Sequence, residues 1–313
     1  MTLWLALVFQ LIAAPWPDSL SPAARAGLST DAARPPAGPE MADRRRRADA
    51  IQQDIGRRQR ARYKVTMAEA TMAGVPIRLF TPADPSDDGE ILLNLHGGGF
   101  VVDSGSITEN VPIAALTRRR VVAVRYRLIP EQQFPAAVDD ALAVYRALQA
   151  EHPGRRIALY GTSAGAILAA ELVARIKREG LRPPVALGFF SGSADLSRPG
   201  DSADLFLDKG AAASRALATA YAGSTPLTDP TISPNRGPLT GWPPTMCVSS
   251  TRDFLLSATA DFCRALTNAG VDARLTLYDG LPHAFWGYIE APESDAAFTD
   301  MARFLRRHLE TDR

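Results

Sequence analysis

An α/β fold, with a mainly parallel sheet flanked by helices and a helical cap, is what this sequence predicts, on three observations. From residue 90 onward, short apolar runs of strand length alternate with longer helical stretches. Such alternation makes a largely parallel sheet covered on both faces. The residue types able to do chemistry fall just past the carboxyl ends of those strands, where sheets of this kind bind ligands. The alternation breaks over residues 195–240, an Ala-rich helical stretch with several prolines that fits a cap inserted over the site.

In order along the chain, residues 1–62 read as an N-terminal arm or cap region. Within it, residues 3–14 are an apolar run of signal-peptide length, too short to span a bilayer. No Lys or Arg precedes that run, and Pro15 follows Ala14 where cleavage needs a permissive residue. A hydrophobic arm packed on the body and a cytoplasmic location are therefore favoured, with export through residues 1–26 as the alternative. Residues 15–40, rich in Pro and Ala, read as a linker or loosely packed arm. A polar helix is expected at about 42–61, then strands at 63–72 and 75–80 joined at Gly74 as a hairpin at a sheet edge. The regular part, 63–313, is read as the catalytic domain. Its further strands are expected at 91–95, 121–125, 157–160, 185–190, 245–249 and 273–278, and its helices near 135–150, 165–179, 257–269 and 295–309. No internal repeat is found.

Composition excludes some functions. The 313 residues are 46% hydrophobic and 7% aromatic, enough for a substantial core. Lys and Arg number 35 against 34 Asp and Glu, so no bulk field favours nucleic acid or an anionic membrane. The run Arg44-Arg45-Arg46-Arg47 lies among Ala, Asp, Glu and Gln and reads as a solvated helix face rather than a polyanion site. Cys247 and Cys263 form no metal-ligand spacing and read as small core residues.

The strongest local signal is Gly161-Thr162-Ser163-Ala164-Gly165, set between an expected strand and an expected helix. A serine raised on a strained strand-to-helix turn needs glycine two positions either side, where side chains would strike neighbouring backbone. The second signal is His96-Gly97-Gly98-Gly99-Phe100, directly after the strand at 91–95. Three glycines let backbone N–H groups approach a ligand, and with the N–H of Ala164 they would hold the oxyanion of an acyl-transfer intermediate. A phosphate loop is the other reading, but no Lys-Ser/Thr pair follows.

A nucleophilic serine needs a base, and the chain has four histidines. His152 precedes Pro153 in a loop, His308 lies among arginines, and His96 is expected to brace its glycine loop. His283 remains, just past the strand at 273–278. Its partner acid is expected to be Asp253, which follows the strand at 245–249 and gives the chain order Ser, Asp, His. Asp279 competes by proximity but lies on the same connection as the histidine.

These motifs, with Tyr126-Arg-Leu-Ile-Pro130, Phe134-Pro-Ala-Ala-Val-Asp-Asp140, Asp229-Pro and Ser233-Pro, resemble the hormone-sensitive-lipase-like esterases, the family IV bacterial esterases of the α/β-hydrolase fold. The resemblance covers about residues 63–310. Thr162 is similar to that family's GTSAG branch, and Ser250-Thr-Arg-Asp253-Phe-Leu-Leu-Ser257 is most similar to members called monoterpene ε-lactone hydrolases. It implies Ser163 as nucleophile, His283 as base, Asp253 as acid, and Gly98, Gly99 and Ala164 as oxyanion donors, with His96, Gly97, Gly161 and Gly165 supporting the motifs. Two departures, Ala166 for a common glycine and Gln132-Gln133 for a usual Glu-His, bear on pocket shape.

The expected activity is hydrolysis of a small or medium carboxylic ester or lactone through an acyl-enzyme on Ser163, without cofactor or metal. An amidase or peptidase with the same triad, an acyltransferase, and a non-catalytic ligand-binding protein on the same scaffold are the alternatives. Phe189, Phe190, Phe206, Phe254, Phe285 and Trp286 flank the motif loops; most are expected in the core. No nucleic acid and no stable membrane span are expected, and an edge strand or the last helix is the candidate surface for a homodimer.

Overall fold

The computed structural model describes residues 16–34, 38–86 and 89–310. The apolar run at 3–14 lies outside these residues. The strands are β1 (Val65–Met72), β2 (Val75–Pro82), β3 (Ile91–Leu95), β4 (Arg120–Val124), β5 (Ile157–Thr162), β6 (Ala186–Phe190), β7 (Thr245–Arg252) and β8 (Ala273–Pro282). They form one sheet in the order β1-β2-β4-β3-β5-β6-β7-β8. β2 pairs antiparallel with β1 and β4, and the remaining pairs are parallel. The predicted edge hairpin and parallel body are both present. Because β3 is flanked by β4 on one side and β5 on the other, the chain direction across the sheet reverses between β3 and β5. That crevice is the usual ligand site of open α/β sheets, and both glycine motifs leave the sheet there.

Alternation along the strands divides the core. Leu93, Leu95, Leu159 and Phe189 face α4 (Ala136–Glu151), α5 (Ala164–Arg178) and α8 (Leu256–Asn268). Leu92, Ala158, Tyr160 and Phe190 face α1 (Pro22–Ala32), α3 (Asn110–Thr117) and α9 (Pro292–Leu309). Between β6 and β7 come α6 (Asp201–Phe206) and α7 (Gly210–Ala222), and α2 (Met41–Tyr63) precedes β1.

Three expectations are corrected. Part of the supposed loose arm is helix α1, with Ala24 and Leu28 buried. Pro22 occupies the first turn, where its missing N–H costs nothing, and the Ser21 hydroxyl accepts from Ala24 N at 3.0 Å. Ser21 in turn donates N–H (2.6 Å) and O–H (2.9 Å) to Glu293 of α9. Helix α3 was not expected: it is short and carries an interior proline, Pro112, and most of its residues are buried, leaving no amphipathic period to read.

The third correction concerns the arginine run. Arg46 is exposed and pairs with Asp43, as a solvated face requires. Arg45 instead reaches inward, donating to the carbonyls of Val101 (2.9 Å) and Ile129 (3.0 Å) and to Glu131. Cys247 and Cys263 are free, buried thiols, as expected of core residues.

Candidate active site

β5 ends at Thr162 and α5 begins at Ala164, so Ser163 alone makes the turn, at φ 58° and ψ −123°. A non-glycine residue rarely adopts such a φ; it persists because the surroundings fix it. A Cβ on Gly165 would lie 1.9 Å from the Leu95 carbonyl, and one on Gly161 2.3 Å from the Gly165 carbonyl. Only glycine fits either place. The Ser163 N–H is held by the Phe190 carbonyl at 2.9 Å. Ala164, as first residue of α5, has an amide with no intrahelical acceptor, at the positive end of the helix dipole.

His283 lies just past β8 and is brought to Ser163: Nε2 is 2.9 Å from Ser163 Oγ, and Nδ1 is 2.7 Å from Asp253 Oδ1. Asp253 is fully buried after β7. Besides His283, it accepts from Leu255 N–H (2.9 Å) and from the hydroxyls of Ser249 (2.8 Å) and Ser191. Burial alone would raise its pKa; the interaction with His283, with the hydrogen bonds from Ser191 and Leu255, outweighs it and holds the carboxyl below the usual range. An ionised Asp253 can only accept, so Nδ1 carries the hydrogen and Nε2 is left to accept from the serine hydroxyl. The ring of Phe254 lies 4.3 Å from that of His283. The competitor Asp279 accepts from Thr251 and Ser19 instead, each at 3.1 Å. His152 caps the end of α4, and His308 bonds the Phe304 carbonyl.

The glycine loop after β3 packs directly on this turn. The site of a Cβ on Gly97 is 3.0 Å from the Thr162 carbonyl and 3.4 Å from Ser163 Cβ. His96 is buried at the start of this loop. Its Nδ1 is 2.8 Å from the Gly97 carbonyl, its ring stacks on Tyr126 at 4.2 Å, and Tyr126 Oη donates to its carbonyl at 2.6 Å. Burial lowers its pKa, which keeps the ring neutral near pH 7. The Gly98 carbonyl accepts from Val101 and Val102, folding the loop back. Gly97 thus meets the Ser163 turn, with Gly98 and Gly99 following it in the loop and Ala164 opening α5.

Several supporting residues escaped sequence reasoning. Phe100 stacks on Tyr221 of α7 at 3.6 Å, and Leu217 of the same helix lies 3.1 Å from the Cβ site of Gly99. Gln52 of α2 donates to the Asp103 carbonyl and accepts from Ile107 N–H. Arg45 and Gln52 therefore fix both ends of the stretch following the glycines. Of the six aromatics singled out, Phe189, Phe190, Phe285 and Trp286 are core. Phe206 and Phe254 are half-buried.

Comparison with known proteins agrees with this fold. Residues 92–287 match the family described as alpha/beta hydrolase fold. An acetyl-hydrolase of Streptomyces hygroscopicus is 34% identical over 233 residues, 70% of this chain and 76% of that protein. Among solved structures, one esterase superposes with a TM-score of 0.81 at 31% identity, covering 95% of this chain and 97% of the other. An esterase from the bacterial hormone-sensitive lipase family superposes with a TM-score of 0.80 at 28% identity, covering 93% and 99%.

Proposed function

We propose, from the premise that the chain belongs to the alpha/beta hydrolase fold family and is a carboxylic-ester hydrolase, that it works through an acyl-enzyme on Ser163. Ser163 Oγ attacks the ester carbonyl as His283 Nε2 takes its proton. The amides of Gly98, Gly99 and Ala164 receive the oxyanion, and His283 then protonates the departing alkoxide. Water, activated by the same imidazole, releases the acid. The observation that carries this reading is the single imidazole spanning Ser163 Oγ and the ionised Asp253 at 2.9 and 2.7 Å.

The substrate class we infer is small: short-chain esters such as acetates, or a compact lactone, in which the alcohol stays tethered and the product is one hydroxy acid. Supporting this, Leu217 on α7 crowds the Gly99 end of the loop and Phe254 lies against the base. In this reading residues 195–240, with α6 and α7, act as the cap, and the N-terminal region adds α2 to it. The GTSAG sequence and the segment around Asp253 support a place near the monoterpene ε-lactone hydrolases. The edge strand β8, with Leu275 and Leu277 exposed, is the surface proposed for a homodimer, checked by light scattering on the purified protein.

The test is hydrolysis of p-nitrophenyl acetate, butyrate and decanoate beside ε-caprolactone, for the native protein and Ser163→Ala. Activity on acetate, butyrate or the lactone that vanishes in the variant is expected. Retained activity in a folded Ser163→Ala protein would remove Ser163 from the mechanism, and a maximum at decanoate would remove the small-substrate assignment.

A further inference from the structure

Against Thr162 and Trp286 lies a second buried carboxyl that the reaction does not consume. Glu109, at the start of α3, is 4% exposed. Its Oε1 is 2.9 Å from the Cβ site of Gly105 and 3.7 Å from that of Gly287. A side chain at Gly105 would strike it, and one at Gly287 would meet it in ordinary contact. Its other neighbours are the hydroxyl of Thr162 and the indole of Trp286. Glu109 therefore touches three functional segments at once: the stretch following the oxyanion glycines, the residue before Ser163, and the turn that follows His283.

The contact is polar but loosely made. Glu109 Oε2, Thr162 Oγ1 and Trp286 Nε1 are all buried, and none closes a full hydrogen bond. Most buried polar groups are satisfied, so three unsatisfied ones facing each other ask for an explanation.

We propose that Glu109 is a positioning residue for Ser163 and His283, holding the nucleophile turn and the base turn in register as a neutral acid and disturbing both when it ionises. The inference rests on the acyl-enzyme reading above. A protonated carboxyl can donate to the Thr162 hydroxyl while accepting from the Trp286 indole. A carboxylate can only accept, so it draws both donors inward and places a negative charge under the site where an oxyanion must form.

The surroundings favour the neutral form. Burial raises the Glu109 pKa to about 8; Thr162 and Trp286 oppose the rise, and the charge of Asp103 adds to it. The other titratable neighbours are phenols: Tyr160 of β5, bonded to Asn110, and Tyr126 behind His96. Both are raised chiefly by burial, Tyr160 further by Glu109 and Tyr126 further by Asp103 and Glu171, so neither ionises in the relevant range.

The experiment measures kcat and KM separately on p-nitrophenyl butyrate from pH 6 to 9.5, for the native protein, Glu109→Gln and Thr162→Val, with Ser163→Ala as the blank. The native kcat should fall about tenfold through a midpoint near pH 8, with KM moving less than about twofold. In Glu109→Gln that alkaline fall should vanish. In Thr162→Val, which removes a group favouring the carboxylate, the midpoint should move to higher pH. Superimposable pH profiles for the native protein and Glu109→Gln would overturn the proposal, as would an unmoved midpoint in Thr162→Val if Glu109→Gln fails to fold. Activity surviving in Ser163→Ala would instead overturn the acyl-enzyme reading beneath it.

Discussion

Asp253 and Glu109 are both withdrawn from water, at 0% and 4% exposure; Asp253 bonds His283, and Glu109 faces Thr162, the residue before Ser163. Their environments differ in one respect. Asp253 receives four donors, from His283, Leu255, Ser249 and Ser191. Glu109 has only two facing it, neither in full hydrogen-bonding geometry. Equal burial thus yields an ionised acid in one pocket and a neutral one in the other, because donors directed at the charged form decide whether desolvation can be met. The ionised acid fixes a tautomer; the neutral one can hold a shape without adding charge.

The comparison breaks most visibly if Asp253 loses its charge. Asp253→Asn keeps the volume but offers the imidazole the wrong polarity, and kcat should fall about 10³–10⁴-fold. A much smaller loss, in steady-state kinetics on a short ester, would mean that the charge is not what this pocket supplies.

Stability sharpens it next. Glu109 has a folded pKa of about 8 against an ordinary 4.5. A raised carboxyl binds its proton more tightly in the folded state, so its stabilising effect is complete below pH 4.5 and lost as the pH climbs through 8. Asp253, held below its usual range, behaves oppositely: its contribution is present at neutral pH and lost on acidification. In urea denaturation, Glu109→Gln should therefore gain on the native protein between pH 5 and pH 9 by up to about 4 kcal/mol. A gap independent of pH would show that Glu109 is ionised throughout.

Removing a single donor from Asp253 should have a smaller effect. Ser191→Ala leaves three donors in place, and should cost about 1–3 kcal/mol of stability, as loss of a hydrogen bond to a charged group does. It should also depress kcat/KM more at pH 5 than at pH 8, because the weakened pocket gives up its charge sooner. Equal losses at both pH values would argue that Ser191 merely packs.

Much of this arrangement was legible in the chain. Gly161, Gly165 and Gly98 announce it because each occupies a place that a side chain would strike, so backbone geometry leaves a mark in residue type. Asp253 and His283 follow from strand order. Glu109 left no such mark: at the start of an eight-residue helix, its meaning depends on Thr162 and Trp286, 53 and 177 positions away. Arg45 shows the same limit, since an arginine among three others looks solvated until a tertiary contact selects it. Helix α1 is hidden for a different reason, in that Pro and Ala suit both a linker and a capped helix start.

A third buried carboxyl, with a single donor, supplies the mildest test. Glu171 of α5 is 1% exposed and accepts from Tyr221 Oη at 2.6 Å, while its Oε1 has no partner. Burial raises it well above the ordinary range in spite of that one donor. Tyr221→Phe removes the donor but keeps the ring that stacks on Phe100. We expect it to cost about 1–2 kcal/mol in thermal or chemical denaturation and to leave kcat within about twofold, because ring stacking rather than the hydroxyl supports the glycine loop. Tyr221→Leu, which removes both, should lower kcat as well. If the two variants lower kcat alike, the hydroxyl's bond to Glu171, and not the stack, is what α7 contributes to the site.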